Sequence, residues 1–516
     1  MTPTARFERV MLVVALLVCA ALAWPLRDYL TDDTFIHLQY ARHLAGGEGF
    51  VFNAGERVYG STSPLWVLLL ADAIAMGVDG LLASKVLGAL ATLGSLLLWY
   101  RLVSRTIGSP WVRVLSTLVW ATHAWMSRWS LSGMETPLVV LLVLGGLMAF
   151  TSREPWGSRS ALAGFLWSLA ALARPECTLL LAFWGVLLVL DHGPVEGVRR
   201  ALRGLWPAAL VQVVWLAFAR LYFGTFWPNT LAAKAAGGEG WEYRLEQVVR
   251  QGAIVGATDG ALLALLIALG ITALARGHRP APRPWVRLLP WAWVVLVPVL
   301  YVVRGVPVLS RYLVPLLPVL AWLAWRALDR ALLDGRAAAP DPERRARFVL
   351  VVAAIVAVLA IAQNLVTWQR VVRPQVESFS EGMRASLVPW GRWFAANTAP
   401  DAMVAAPDIG ALGYYGDRRV LDLAGLVSPD MVPVLQRMPQ ERAVETFAFA
   451  DFARPDYLVD RSSRPWALRE RSPWAAALVP IGHAALPNLG VARPDPAVYS
   501  IYRIDWAVYD SLAMRR

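Results

Sequence analysis

Apolar residues in this chain gather in blocks of about 14 to 23, separated by short polar segments rich in Arg, Gly and Pro. A helix rises ~1.5 Å per residue and a bilayer's hydrocarbon core is ~30 Å thick, so the longer blocks cross it unaided and the shorter ones with their flanks. The pattern predicts eleven spans, at residues 9–26, 81–100, 112–127, 136–151, 160–173, 176–190, 204–222, 260–275, 288–303, 311–328 and 347–367. Arg6 and Arg9 precede the first block as in a secretory signal, but the spans that follow it make an uncleaved first helix the expectation. After residue 367 the blocks stop. The expected organisation is a polytopic α-helical membrane unit, 1–367, followed by a domain of ordinary polar content, 368–516.

Within that second unit, short strands are predicted at Met403-Val404-Ala405-Ala406, Arg419-Val420-Leu421-Asp422-Leu423 and Tyr457-Leu458-Val459, with a helix from Pro439 to Phe452. A small α/β or α+β fold accommodates them. The first loop, 27–80, divides into two juxtamembrane helices. Thr34 to Leu44 has helical apolar spacing and stops at Gly46-Gly47, and Ser63-Pro64 opens a second stretch to Gly77. This second stretch is read as interfacial or re-entrant, because a full crossing there would invert every later loop.

The net charge of +12 would suggest a polyanion partner in a soluble protein, but membrane topology accounts for it. Threaded from a cytoplasmic N-terminus, the spans put Arg101, Arg105, Arg113, Arg153, Arg159, Arg199, Arg200, Arg203, Arg276, Arg279, Arg283, Arg287 and the 326–347 cluster on one side. The expected location is the cell (inner) membrane, multi-pass, with the C-terminal domain outside and no nucleic-acid partner. A linker-like stretch runs from Gly335 to Glu343 on the cytoplasmic side. Cys19 and Cys177 both fall in predicted spans, so no disulfide braces the outer domain. No Cys/His cluster has zinc spacing, and no P-loop or dinucleotide fingerprint is present, which argues against nucleotide chemistry.

This threading carries the unusual polar residues to one face. The run Thr31-Asp32-Asp33-Thr34 follows the first span; Ser132-Gly133-Met134-Glu135-Thr136-Pro137, Arg174-Pro175-Glu176, Phe226-Trp227-Pro228-Asn229-Thr230 and Ser310-Arg311-Tyr312 join it. Arg174-Pro175-Glu176 reads either as a helix break or as a cation awaiting a lipid phosphate, and Arg311 either as an interfacial anchor or as a phosphate ligand. Glu135 can serve simply as a helix N-terminal charge; Asn229 and Lys234 read as loop residues and His37 as packed. Adjacent acids directly after a span are harder to explain structurally. Moving a sugar onto a hydroxyl requires a base, a stabilised leaving group and exclusion of water; Asp32 or Asp33 supplies the first, Arg174 or Arg311 the second.

The stretch Asp32-Asp33-Thr34-Phe35-Ile36, continued by Tyr40-Ala41-Arg42, Gly49-Phe50-Val51-Phe52-Asn53, Gly55-Glu56-Arg57-Val58 and Ser61-Thr62-Ser63-Pro64-Leu65-Trp66, resembles the first extracytoplasmic loop of GT-C fold glycosyltransferases, with most likeness to the mycobacterial terminal arabinofuranosyltransferase branch. Ser132 to Pro137, Arg174-Pro175-Glu176, Pro228-Asn229-Thr230, Arg311-Tyr312 with Pro315, Asp408-Ile409-Gly410-Ala411-Leu412-Gly413 and Asp422-Leu423-Ala424-Gly425-Leu426 look like its later motifs in order. The pattern departs at Tyr59-Gly60-Ser61 and at Phe226-Trp227. The resemblance implies an enzyme that takes a sugar from a polyprenyl-phosphate carrier, arabinofuranose in that branch, to an extracytoplasmic glycan or other acceptor. It implies Asp32 and Asp33 as the catalytic pair, with Asp32 favoured, and Arg174 and Arg311 as donor-phosphate ligands. Tyr40, Arg42, Tyr59, Ser61, Thr62, Glu135, Glu176, Asn229, Lys234 and Asp408 are implied as substrate-binding. No resident cofactor or metal ligand is expected, and a divalent-metal requirement stays open. Two other classes compete: a lipid-linked sugar flippase, which would show paired broken helices in related halves, and a non-catalytic assembly subunit.

Overall fold

The computed structural model describes residues 3–151, 158–230, 240–275, 284–338, 342–487 and 496–515. Among them, seven helical segments are long and apolar enough to cross a bilayer: Pro3–Leu26, Gly80–Thr106, Pro175–His192, Pro194–Phe223, Trp241–Ala273, Trp285–Val303 and Arg347–Asn397. Shorter apolar helices, Pro64–Ala75, Thr136–Phe150 and Ser160–Ala173, pack among them. The protein is a multi-pass membrane protein. Lys234 and, of the arginines expected on the cytoplasmic side, Arg153, Arg276, Arg279 and Arg283 lie outside the described residues, as does part of the 335–343 linker.

Several helices differ from the apolar blocks for identifiable reasons. The block at 112–127 is two helices, Pro110–Ala121 and Ala124–Ser130, because the imidazole Nδ1 of His123 accepts the Met126 N–H at 3.2 Å and starts a new helix. The block at 311–328 is also interrupted. Its helices are Ser310–Leu313 and Leu317–Ala338, with Pro315 in the gap, where a missing N–H and a fixed φ forbid continuation. Trp241–Ala275 starts well before the apolar block at 260, since its first turns are polar yet helical.

The first-loop helices form close to where apolar spacing puts them. The helix Asp32–Ala45 is capped by Thr31, whose hydroxyl accepts the Thr34 N–H at 3.2 Å, and both aspartates sit in its first turn, where the helix dipole favours negative charge. Pro64–Ala75 begins with Pro at its first position. Between these helices and the membrane unit lies the turn at Gly133. Its φ is +76°, and a Cβ there would meet Thr34 Cγ2 at 2.3 Å, so only glycine allows the Glu135 turn to press against the acidic helix.

The C-terminal residues carry a five-stranded sheet in the order β2-β1-β3-β5-β4, comprising Met403–Ala406 (β1), Arg419–Asp422 (β2), Tyr457–Ser462 (β3), Leu478–Leu486 (β4) and Ala497–Ile504 (β5). β1 pairs in parallel with β2 and β3; β5 pairs antiparallel with β3 and β4. The last two strands were not predicted. Of the helix expected at 439–452 only Gln440–Glu445 forms, with turns over 446–452, and a second short helix, Met431–Arg437, precedes it. The helix Gly410–Gly416, which follows β1, rests directly on Asp32–Ala45: Phe35 meets Tyr414 and Tyr415 at 5.7 and 5.4 Å between ring centroids. The sheet therefore presents its β1 exit to the first loop.

Candidate active site

The two aspartates have different surroundings. Asp32 turns toward the C-terminal domain, where its two carboxylate oxygens accept the N–H groups of Gly410 and Ala411, both at 2.8 Å. It thereby caps the helix that follows β1. Burial, with the charge of Asp408 nearby, pushes its carboxyl from 3.8 up to about 7, against the pull of the two N–H bonds. The folded protein then holds this proton over a range where the unfolded chain has released it, so stability falls as pH rises from about 4 to about 7. The melting temperature of the wild type relative to Asp32→Asn is expected to drop across that interval; a flat or rising difference would contradict the assignment.

Asp33, one residue on and about 100° around the helix, faces the other way. Its Oδ2 accepts from Arg311 Nη2 at 2.5 Å, and its side chain remains 42% exposed. Two cavities open on either side of it. The membrane-side cavity, about 410 Å³, is lined by Leu179, Val297 and Leu300 and by Arg174, Arg304 and Arg311. The domain-side cavity, about 440 Å³, lies between the membrane unit and the sheet. Asp33, Arg311, Tyr312 and Leu426 border both.

The walls are held by buried ion pairs. Arg174 Nε lies 3.3 Å from Glu135 and 3.2 Å from Glu176, its Nη1 donates to the Arg311 carbonyl, and its guanidinium covers the Tyr312 ring at 4.8 Å. Burial alone would raise the Glu135 carboxyl, but His37, 3.5 Å away, and Arg174 hold it down to about 2. Among the described residues, the buried His37 Nδ1 and Thr230 Oγ1 on this cavity are among the polar atoms with no hydrogen-bond partner. Across the junction, Asp422 accepts three N–H groups, from Ala424, Leu426 and Val427, and this turn delivers Leu426 to both cavities. On the domain side, Arg461 Nη1 and the Tyr499 hydroxyl donate to Asp408 at 2.7 and 2.8 Å. Asp408 follows β1, and Arg461 lies toward the end of β3, so the cavity sits outside the carboxyl ends of parallel strands, where open sheets bind ligands.

Of the residues singled out from sequence, Asp32, Asp33, Arg174, Arg311, Ser61, Thr62, Glu135, Glu176 and Asp408 border one cavity or the other. Tyr40, Arg42 and Tyr59 do not line either one. Tyr40 is fully buried, its hydroxyl donating to the Val58 carbonyl and accepting the Gly60 N–H. Arg42 donates to the Tyr414 carbonyl and to Asp417, and Tyr59 accepts from Trp215 at 2.8 Å. These three brace the first loop. Asn229 reaches Tyr59 through its backbone, and its neighbour Thr230 lines the cavity instead. The preference for Asp32 within the pair is not what the geometry favours: its oxygens are occupied, while Asp33 stands at the junction. Sequence reading missed Arg304, Tyr301, Arg128, Gln440, Arg461 and Tyr499, all of which border a cavity. Arg304 and Arg128 had a signal, a cation directly after an apolar block; the others had none.

Comparison with known proteins agrees with this architecture. A family described as a domain of unknown function (DUF8728) matches residues 375–503. A terminal β-(1→2)-arabinofuranosyltransferase of Corynebacterium glutamicum is 29% identical over 260 residues, covering 42% of this chain and 35% of its own length. Its namesake in Mycobacterium tuberculosis is 30% identical over 231 residues, covering 42% and 36%. The chain thus spans about a third of the length of these curated relatives. Among solved structures, ArnT from Cupriavidus metallidurans bound to undecaprenyl phosphate superposes with a TM-score of 0.52 at 15% identity over 97% of this chain and 98% of that one. The chain has the GT-C fold, and its relatives in sequence are glycosyltransferases.

Proposed function

We propose that this protein transfers a sugar, arabinofuranose by analogy with its curated relatives, from a polyprenyl-phosphate carrier to a glycan acceptor on the outer face of the membrane. One observation carries the reading: an apolar cavity edged with arginines and a polar cavity under the C-terminal domain meet, among the described residues, at one accessible carboxylate, Asp33. A lipid-linked donor suits the first and a hydroxyl-rich acceptor the second. The proposed orientation puts the N-terminus in the cytoplasm and residues 368–516 outside as one domain.

In the reaction, the Asp33 carboxylate takes the proton of the acceptor hydroxyl while that oxygen bonds to the anomeric carbon. The bond from that carbon to the phosphate oxygen breaks, and the polyprenyl phosphate leaves with the electron pair. Arg311 lies beside both reacting groups and offsets the charge on the leaving phosphate. Arg174 is bound to two carboxylates and orients Arg311 through its carbonyl, whereas Arg304, exposed at the mouth of the cavity, is the cation placed to greet the lipid phosphate. His37 Nδ1 and Thr230 Oγ1 await hydroxyls of the donor sugar. No resident cofactor enters this scheme. Among the described residues no three His, Cys, Asp or Glu side chains converge as a metal site.

The test is incubation of the purified protein with a panel of polyprenyl-phosphate sugars, with and without EDTA, watching which carrier is consumed and whether an added arabinan fragment is extended. Consumption of none of them would refute the reading. Arg304→Gln is expected to raise the donor KM about tenfold, or ~1.4 kcal/mol of lost binding, with little change in kcat. An unchanged KM would remove Arg304 from the phosphate site.

A further inference from the structure

Four arginines border the two cavities away from bulk water. Arg174 pairs with Glu135 and Glu176, Arg311 with Asp33 and Arg461 with Asp408. Arg128 is the exception. It is 3% exposed, yet among the described residues it has only neutral partners: Nη1 donates to Gln375 at 3.0 Å and Nη2 to the Tyr29 hydroxyl at 3.1 Å. Its Nε, buried too, has no acceptor among the described residues. The guanidinium lies over the rings of Tyr29 and Trp129, at 5.3 and 5.4 Å from their centroids.

A guanidinium in a protein does not shed its proton, so burial cannot neutralise it. Ring faces and neutral acceptors recover part of the lost hydration, and an ion of opposite sign recovers the rest. Arg128 borders the domain-side cavity, whose other charges are already matched: Asp33 with Arg311, Asp408 with Arg461, and Asp32 with two N–H groups. Three arginines thus line this cavity with three aspartates, none of the aspartates is paired with Arg128 among the described residues, and the lining is positive by one charge when the raised carboxyl of Asp32 holds its proton. On the same cavity, the buried Nε2 of Gln440 is a second donor without a partner among the described residues.

We propose that Arg128, with Gln440 across the same cavity, binds a single negative charge carried by the acceptor, a monoanionic oxyanion of the phosphodiester or uronate kind. Calling the occupant an acceptor rests on the glycosyl-transfer reading; the anion site itself does not. The acceptor glycan would carry this anion within one cavity's breadth of the hydroxyl that Asp33 deprotonates. Arg128 is here a specificity residue, held by its stacking on Tyr29 and Trp129 and outside the bond-making step.

The test uses the full chain in phosphatidylcholine nanodiscs, its membrane-side cavity loaded with undecaprenyl phosphate, and reads binding by saturation-transfer NMR without turnover. Dimethyl phosphate and methyl glucuronoside are the probes, and methyl glucoside is the neutral control. The wild type is expected to bind at least one anion, and which of the two binds separates a phosphodiester from a uronate source. Arg128→Met should weaken that binding at least tenfold, leave the neutral control unchanged, and melt at or above the wild-type temperature, because it removes an uncompensated buried charge. Equal anion binding in Arg128→Met, or loss of anion binding once the lipid phosphate is loaded, overturns the proposal. Should Arg128→Met not fold, Gln440→Leu decides: anion binding at least threefold weaker supports the site and unchanged binding refutes it. A protein that consumes no donor in the panel above but still binds the anion through Arg128 would sink the transferase reading alone.

Discussion

Asp33→Asn is expected to lower sugar transfer by ~100-fold or more, the range a positioned general base contributes, while polyprenyl-phosphate binding persists or tightens. The reason is the geometry at the junction: removing the charge that Arg311 now faces leaves that guanidinium free for the phosphate, but leaves the acceptor proton without a base. Single-turnover transfer and direct binding of undecaprenyl phosphate, measured on the same preparation, separate the two effects. Asp32→Asn offers the contrast. Its expected signature is a change in stability and in the docking of the sheet, with transfer reduced less. If Asp32→Asn silenced transfer and Asp33→Asn did not, the base would belong to the other carboxylate. Full activity in both variants would favour a non-catalytic scaffold.

Gly410→Ala is expected to cause the second large loss. A Cβ at this position would lie 1.9 Å from the backbone oxygen of Asp32, and backbone on both sides leaves no side chain free to swing away. The helix Gly410–Gly416 must then back off Asp32–Ala45, breaking the paired N–H bonds to Asp32 and widening the domain-side cavity. Overpacking of this kind costs ~1–3 kcal/mol, occasionally more. Transfer is expected to fall at least tenfold and the melting temperature to drop, while lipid-phosphate binding, which depends on the membrane helices, is retained. Gly416→Ala is the control, since its Cβ would meet its nearest neighbour at an ordinary 3.5 Å. Equal effects from the two alanines would mean that the helix contact does not matter.

Sequence-readable features were those set by composition and short-range rules. Apolar blocks mark helices because a backbone in lipid must satisfy its own hydrogen bonds, and the first-loop helices announced themselves through their apolar spacing, Gly46 and Pro64, whereas the Thr31 cap became visible only in the structure. The strands β1, β2 and β3 were legible from their β-branched and aliphatic runs. β4 was not, because Pro480, Gly482 and His483 interrupt its pattern and only pairing along β5 keeps it extended. The split at Thr122-His123 was hidden for a similar reason: the imidazole cap that makes it involves a residue type that seldom serves as a cap.

From residue order alone came the membrane class, the cluster of polar motifs near span ends and the presence of an acidic pair after the first span. Which acid faces which partner was decided only by the tertiary structure. Neighbouring residues on a helix diverge by about 100°, so the roles of Asp32 and Asp33 depend on what stands opposite each: the Gly410 and Ala411 amides for one, Arg311 and two open cavities for the other. Those partners lie 278 to 379 positions away along the chain, and contacts at that separation leave no periodic trace in a sequence. They exist because the sheet docks on the first loop.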